Sequence, residues 1–106
     1  SDVALLVHAA EDLARDGVRA RVVSVPSIGV FLDQPKEYRE SVIPSGVKEF
    51  GLTSGLPATL WPLMHGDFEV MGMERFGASA PAKVLEEKFG YTAEAVAARV
   101  RAFLAR

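Results

Sequence analysis

Apolar residues recur at helical spacing near both ends of the chain and at strand-like spacing between them. In residues 2–16, DVALLVHAAEDLARD, the side chains of Val3, Leu6, Ala10 and Leu13 share one helical face, with Ser1 placed to cap the start and Gly17 to close the end. The run VALLV by itself also suits a buried strand, but the length of the pattern favours a helix. Residues 18–25, VRARVVSV, alternate and are rich in valine, which predicts a strand stopped by Pro26. Gln34-Pro35 opens PKEYRESVI, a short charged helix that Pro44 forbids from continuing.

A second strand is predicted over residues 47–54, VKEFGLTS, weakened by Gly51. Gly55-Leu56-Pro57 then leads into a short helical turn through Trp61, which Pro62 interrupts. His65-Gly66-Asp67 is a turn, and FEVMGM, residues 68–73, is a third strand. After a small-residue loop, PAKVLEEKF reads as a helix stopped by Gly90. Thr92 caps the final helix, where Ala93, Val96, Ala97, Val100, Phe103 and Leu104 form a stripe. Glu94 stands early in that helix and Arg99, Arg101 and Arg106 late. Strands separated by helical connections predict one α/β domain over residues 1–106: a three-layer α/β/α arrangement with a mostly parallel sheet. Three strands are few for such a sheet, so a missing piece or a partner strand is expected.

Composition narrows the function classes. With 106 residues, 49% hydrophobic and 25% charged, the chain is of ordinary globular type. A formal charge of −2 with mixed signs gives no field to draw in nucleic acid or an anionic membrane. The absence of cysteine removes disulfides, thiolate nucleophiles and thiolate metal ligands. No apolar run reaches the roughly 20 residues of a membrane-spanning helix. A soluble, cytoplasmic chain is the expectation.

The candidate chemistry is sparse. The loop Gly77-Ala78-Ser79-Ala80-Pro81 lies between a strand and a helix, where backbone N–H groups and a helix start suit an anion. It matches neither GxGxxG nor GxxxxGK[ST], and Pro81 removes a donor, so a tight turn with Ser79 as helix cap is favoured over a phosphate site. Glu74 and Arg75 follow a strand end, where open α/β sheets place functional groups, although an adhesive role for Arg75 is favoured. His8 precedes Glu11 and Asp12 at spacings that allow a contact or two metal ligands, too few for a metal site. His65 belongs to no HExxH, and no GxSxG elbow or triad is present. Met64, Met71, Met73, Trp61, Phe68 and Phe76 are expected as core or interface filler.

Three co-linear segments carry a resemblance to a known family. RFGASAPAKVLEEKFGYTAEAV (75–96), VRARVVSVPSIGVFLDQPKEYRESVIP (18–44) and the preceding AAEDLARDGV resemble the transketolase C-terminal domain, in order and over most of the chain. The resemblance implies a parent enzyme that is a cytoplasmic homodimer. That enzyme would use thiamine diphosphate and a divalent cation, Mg or Ca, to move a two-carbon ketol unit between sugar phosphates of the pentose phosphate pathway. It also implies that cofactor and catalytic histidines belong to the preceding domains, so no catalytic, cofactor or metal role passes to His8, His65 or any other position here. This domain's implied role is packing on those domains and dimerisation, with Arg75, Phe76, Gly77, Ala78, Ser79 and Ala80 as the interface candidates.

Two departures stand out. Thr53 occupies a position where the family usually has a glutamate, and Ser1-Asp2-Val3 matches the inside of a turn that follows a strand in family members. The resemblance therefore implies that two upstream strands of a five-stranded mixed sheet, one of them central, are lacking here. These residues are then expected to be a fragment of a longer polypeptide or to be completed in a dimer. The same terminal domain occurs in related thiamine enzymes such as dihydroxyacetone synthase and deoxyxylulose-phosphate synthase. A regulatory module binding an anion or nucleotide at residues 77–80 is the alternative from another class.

Overall fold

A computed structural model describes residues 2–73 and 90–106. Helix α1 (Asp2–Arg15) is followed by Gly17 at φ +80°, the left-handed closure its position predicts. Its buried face is not quite the predicted one. Ala9 and Leu13 are buried with Leu5 and Leu6 packed beside them, whereas Val3 is 41% exposed.

The chain then departs from expectation. Residues 18–25 form no strand, and among the described residues no backbone hydrogen bond involves residues 19–25. Alternation and β-branching favour extended backbone, but a strand exists only where a neighbour takes its N–H and C=O groups. A short helix that no periodic pattern predicts follows, α2 (Ile28–Leu32), with the Ser27 hydroxyl accepting from the Val30 N–H at 3.3 Å. Helix α3 (Lys36–Val42) falls within the predicted 35–43, with Pro35 at its N-cap rather than in its first turn. Its last turn is tied to the irregular run by Arg21, whose guanidinium donates to the carbonyls of Ser41, at 3.2 Å, and Val42.

Strands β1 (Glu49–Leu52) and β2 (Phe68–Met71) pair in parallel, Glu49 opposite Phe68 and Leu52 opposite Met71. Between them lie two 3-10 turns, Pro57–Thr59 and Trp61–Leu63. Pro62 does not interrupt this region: it occupies the first turn of the second 3-10 helix, where a missing N–H costs nothing. The final helix, α4 (Ala93–Ala105), is capped by Thr92, whose hydroxyl accepts from the Ala95 N–H at 3.2 Å. Gly90, at φ +71°, turns the chain ahead of it. The predicted helix over residues 81–89 lies outside the described residues.

The strand alternation decides what covers each face. Phe50 and Leu52 face α1 and α4, joining a core of Ala9, Leu13, Met71, Met73, Tyr91, Val96 and Ala97. Gly51 faces the other way, where a Cβ would meet the side chains of Met64 and Leu60. The sheet therefore lies between two helices and the 3-10 turns: an α/β fold with parallel strands, two among the described residues where the sequence predicts three. Met71 and Met73 fill the core as expected, but Trp61 is 56% exposed. Arg99 and Arg101 of α4 and its C-cap residue Arg106 reach other elements. Arg99 contacts Glu69, Arg101 pairs with Asp12 and Asp16, and Arg106 contacts Glu69 and the Phe68 carbonyl.

Candidate functional site

The sequence candidates divide by position. Glu74, Arg75, Phe76, Gly77, Ala78, Ser79 and Ala80 lie outside the described residues, so the anion and interface readings of that loop rest on sequence alone. His8 is exposed on α1, while the nearby Asp12 carboxylate is taken by Arg15 and Arg101. Among the described residues no three His, Asp or Glu side chains converge as a metal site would need.

His65 is not a bare turn residue. Its backbone N–H donates to Glu49 Oε1 at 2.6 Å, and its ring Nδ1 lies 2.9 Å from Glu49 Oε2. Glu49, at 9% exposure, is the buried charged residue of the described core, on the sheet face opposite Phe50. An ionised carboxylate can only accept, so the geometry puts the ring hydrogen on Nδ1 and leaves Nε2 as the acceptor. This imidazole–carboxylate pair has no nucleophile aligned with it among the described residues, and its evident work is to pin the turn before β2 to the start of β1. The separation of 16 residues hides it from any local motif. The available signal is a carboxylate on the strand face opposite the apolar one.

The carboxyl ends of the strands are held tightly. The Met73 N–H donates to the Gly55 carbonyl at 2.8 Å, Gly55 N–H to Thr53 Oγ1 at 3.0 Å, and Ser54 Oγ to Asp2 Oδ1 at 2.9 Å. The Tyr91 hydroxyl donates to the Thr53 carbonyl at 2.6 Å. Burial pushes its phenol above the usual value, with the Asp2 charge adding and the Arg99 charge opposing. At the C-terminus of α3, hydrogen bonds from the Ser45 hydroxyl and N–H hold the Glu40 carboxyl below the usual range.

A further feature is mostly apolar. A cavity of about 680 Å³ lies between the free edge of β1 and the irregular run 18–25, all eight residues of which line it. Leu6, Ala10, Val96 and Val100 wall it on the helix side, and Leu60 and Met64 on the side of the 3-10 turns. The lining is mostly aliphatic, and Asp2, Arg19, Arg21, Lys48 and Glu49 also contribute to it.

Comparison with known proteins bears on the same point. The family model described as the transketolase-like TK C-terminal domain matches residues 1–92. The chain is 41% identical over 105 residues to "Transketolase 2" of Pasteurella multocida (strain Pm70), covering 98% of this chain and 16% of that protein. It is 40% identical over 105 residues to "Transketolase 1" of Escherichia coli (strain K12), with the same coverage of 98% and 16%. It is 41% identical over 110 residues to "Transketolase" of Halalkalibacterium halodurans, covering 98% of this chain and 16% of the relative. The chain thus spans about one sixth of the length of the curated relatives it matches.

Proposed function

Since this chain belongs to the family of transketolase-like C-terminal domains, we propose that it acts as the terminal packing domain of a transketolase. The parent would transfer a two-carbon ketol unit between sugar phosphates, as a homodimer in the cytoplasm, and this domain would perform no turnover of its own. The observation that carries the reading is the coverage: about 40% identity along 98% of this chain, confined to 16% of each relative.

A divalent cation bridging a diphosphate needs a cluster of oxygen ligands, and the described residues bring no three His, Asp or Glu side chains together. The described residues therefore do not fit the metal, and the reading assigns thiamine diphosphate and its metal to the other domains of the parent chain. Among the described residues no helix is long and apolar enough to cross a membrane.

The test is made on a polypeptide joining this chain to cofactor-binding domains like those of its relatives. Ketol transfer and sedimentation are measured with residues 1–106 present, deleted, and carrying Arg75→Ala. The reading expects assembly to weaken on deletion and, by a smaller amount, with Arg75→Ala, while turnover of the assembled Arg75→Ala enzyme is kept. Intact assembly with lost turnover, or ketol transfer by residues 1–106 alone, overturns it.

A further inference from the structure

The end of α1 joins a chemically reactive peptide bond to the core. Asp16 is the one aspartate in the sequence that glycine follows, and the chain has no asparagine. In such a pair the glycine nitrogen can bond to the carboxyl carbon of the preceding side chain, because glycine has no Cβ to shield it. The Asp16 side chain is 57% exposed, and a Cβ built at Gly17 would meet nothing within 4 Å. A five-membered ring therefore has room to form there, and water has access to reopen it.

Two sets of contacts restrain that reaction. The Gly17 N–H donates to the Ala14 carbonyl at 3.0 Å and the Val18 N–H to the Leu13 carbonyl at 3.1 Å, the paired closure of a helix whose next residue is left-handed. The attacking nitrogen must give up the first of these bonds. The Asp16 carboxylate is held by α4, with Oδ2 at 2.9 Å from Arg101 Nε and 2.7 Å from its Nη2. The side chain must leave the guanidinium before it can swing onto its own backbone. An exposed ion pair yields readily, and helix ends open more often than cores, so these contacts slow the reaction without forbidding it.

We propose that Asp16-Gly17 is a self-modification site, where the chain isomerises its own backbone when the Arg101 clamp opens. The Gly17 nitrogen bonds to Asp16 Cγ, and the OH of the neutral carboxyl group leaves as water with the nitrogen's hydrogen, giving a cyclic imide. Water then reopens the ring. Attack at Cγ restores aspartate, whereas attack at the Asp16 backbone carbonyl carbon breaks its bond to nitrogen and leaves an isoaspartyl link through Cγ. The water lost in the first step returns in the second, so nothing is oxidised or reduced and no other reactant is needed. The product adds one carbon to the main chain between α1 and Val18 and moves the free carboxylate onto Cα. Neither the closure onto Ala14 and Leu13 nor the contact to Arg101 then keeps its geometry. Leu13 is 2% exposed in the core, so the change reaches the packing of α1 on α4. Nothing in this proposal rests on the family reading.

The test ages the chain in heavy-oxygen water, alone and joined to cofactor-binding domains, and then fragments the peptide containing Asp16 in a mass spectrometer. Heavy oxygen and the isoaspartyl link should accumulate at Asp16 ahead of Asp2, Asp12, Asp33 and Asp67. Arg101→Gln should speed labelling about two- to fivefold, the range that one exposed ion pair supports, and Arg101→Lys should stay closer to the parent rate. Arg99→Gln breaks the ion pair of the same helix with Glu69 but leaves Asp16 clamped, so it should label at the parent rate. Added potassium chloride screens the clamp and should speed labelling of the parent chain with no substitution, which keeps the test decisive should a variant fold poorly. Three outcomes overturn the proposal: no heavy oxygen at Asp16 beyond that at the other aspartates, a rate that neither Arg101→Gln nor salt changes, or equal acceleration by Arg99→Gln, which would make general loosening of α4 the cause.

Discussion

The Tyr91 hydroxyl donates to the Thr53 carbonyl at 2.6 Å, joining the segment ahead of α4 to the residue that follows β1. Tyr91 is buried in the core formed by α1, α4 and the sheet, so Tyr91→Phe removes a donor from a carbonyl that has little water to replace it. The expected loss is about 1–2 kcal/mol in urea unfolding. The same residue sets a pH dependence. Its folded-state phenol is raised, chiefly by burial, so the unfolded chain gives up that proton first. Its contribution is complete below the unfolded value near 10 and is lost as pH rises toward the folded value. The alkaline decline in stability should be shallower in Tyr91→Phe than in the parent chain; identical slopes would refute this.

The Glu49–His65 pair gives a spectroscopic prediction. With Nδ1 held 2.9 Å from Glu49 Oε2, nitrogen NMR of the neutral ring should show the Nδ1–H tautomer at His65, while the exposed His8 should not share that preference. Glu49→Ala leaves both the His65 N–H and its ring nitrogen without the carboxylate, and is expected to cost about 1–3 kcal/mol. Glu49→Gln, which keeps one acceptor, should cost less. Matching tautomer populations at the two histidines would show that the carboxylate does not orient the ring.

Phe103 is where the end of α4 meets the start of β1. It is 2% exposed, its ring lies 6.3 Å from that of Phe50, and the Lys48 ammonium and Arg106 guanidinium lie 5.2 and 4.8 Å from its centroid. Phe103→Ala should cost about 3–5 kcal/mol, and Phe103→Leu clearly less because most of the volume remains. Thermal melts of the two variants that coincide would argue against packing at this ring as the cause.

How legible these features are in sequence depends on how far apart their causes lie. Helix α4 is readable because its stripe, its Thr92 cap and the turn at Gly90 are all local. Helix α1 is readable in extent, but its buried face shifts from Val3 toward Leu5 and Ala9, because the neighbour it packs against is α4, some 90 residues on. Helix α2 escapes because IGVFL has no polar face to show a period, and only Ser27 announces it. Residues 18–25 carry strand propensity without a strand, since pairing belongs to two segments and the sequence of one cannot supply the other. The Glu49–His65 pair is likewise invisible until β1 and the turn before β2 are brought together.

The glycines separate lack of space from lack of conformational freedom. Only Gly17, Gly46 and Gly90 among the described residues have positive φ, so Gly51, Gly66 and Gly72 are open to comparison on packing alone. A Cβ at Gly72 would lie 2.8 Å from the Gly55 carbonyl oxygen and 3.0 Å from two Pro57 ring carbons. That oxygen already accepts from the Met73 N–H, so neither backbone nor ring can yield without disturbing the turn after β1. A Cβ at Gly51 would meet Met64 Cε at 2.5 Å and Leu60 Cδ1 at 3.0 Å, the ends of side chains that can rotate away. Gly66 has nothing within 4 Å. Alanine at Gly72 should therefore cost about 1–3 kcal/mol and at Gly51 less. At Gly66 it should change stability little, since neither contact nor φ opposes it. Urea midpoints give the order directly, and a Gly66→Ala loss as large as that of Gly72→Ala would mean that contact at the strand end is not what requires glycine there.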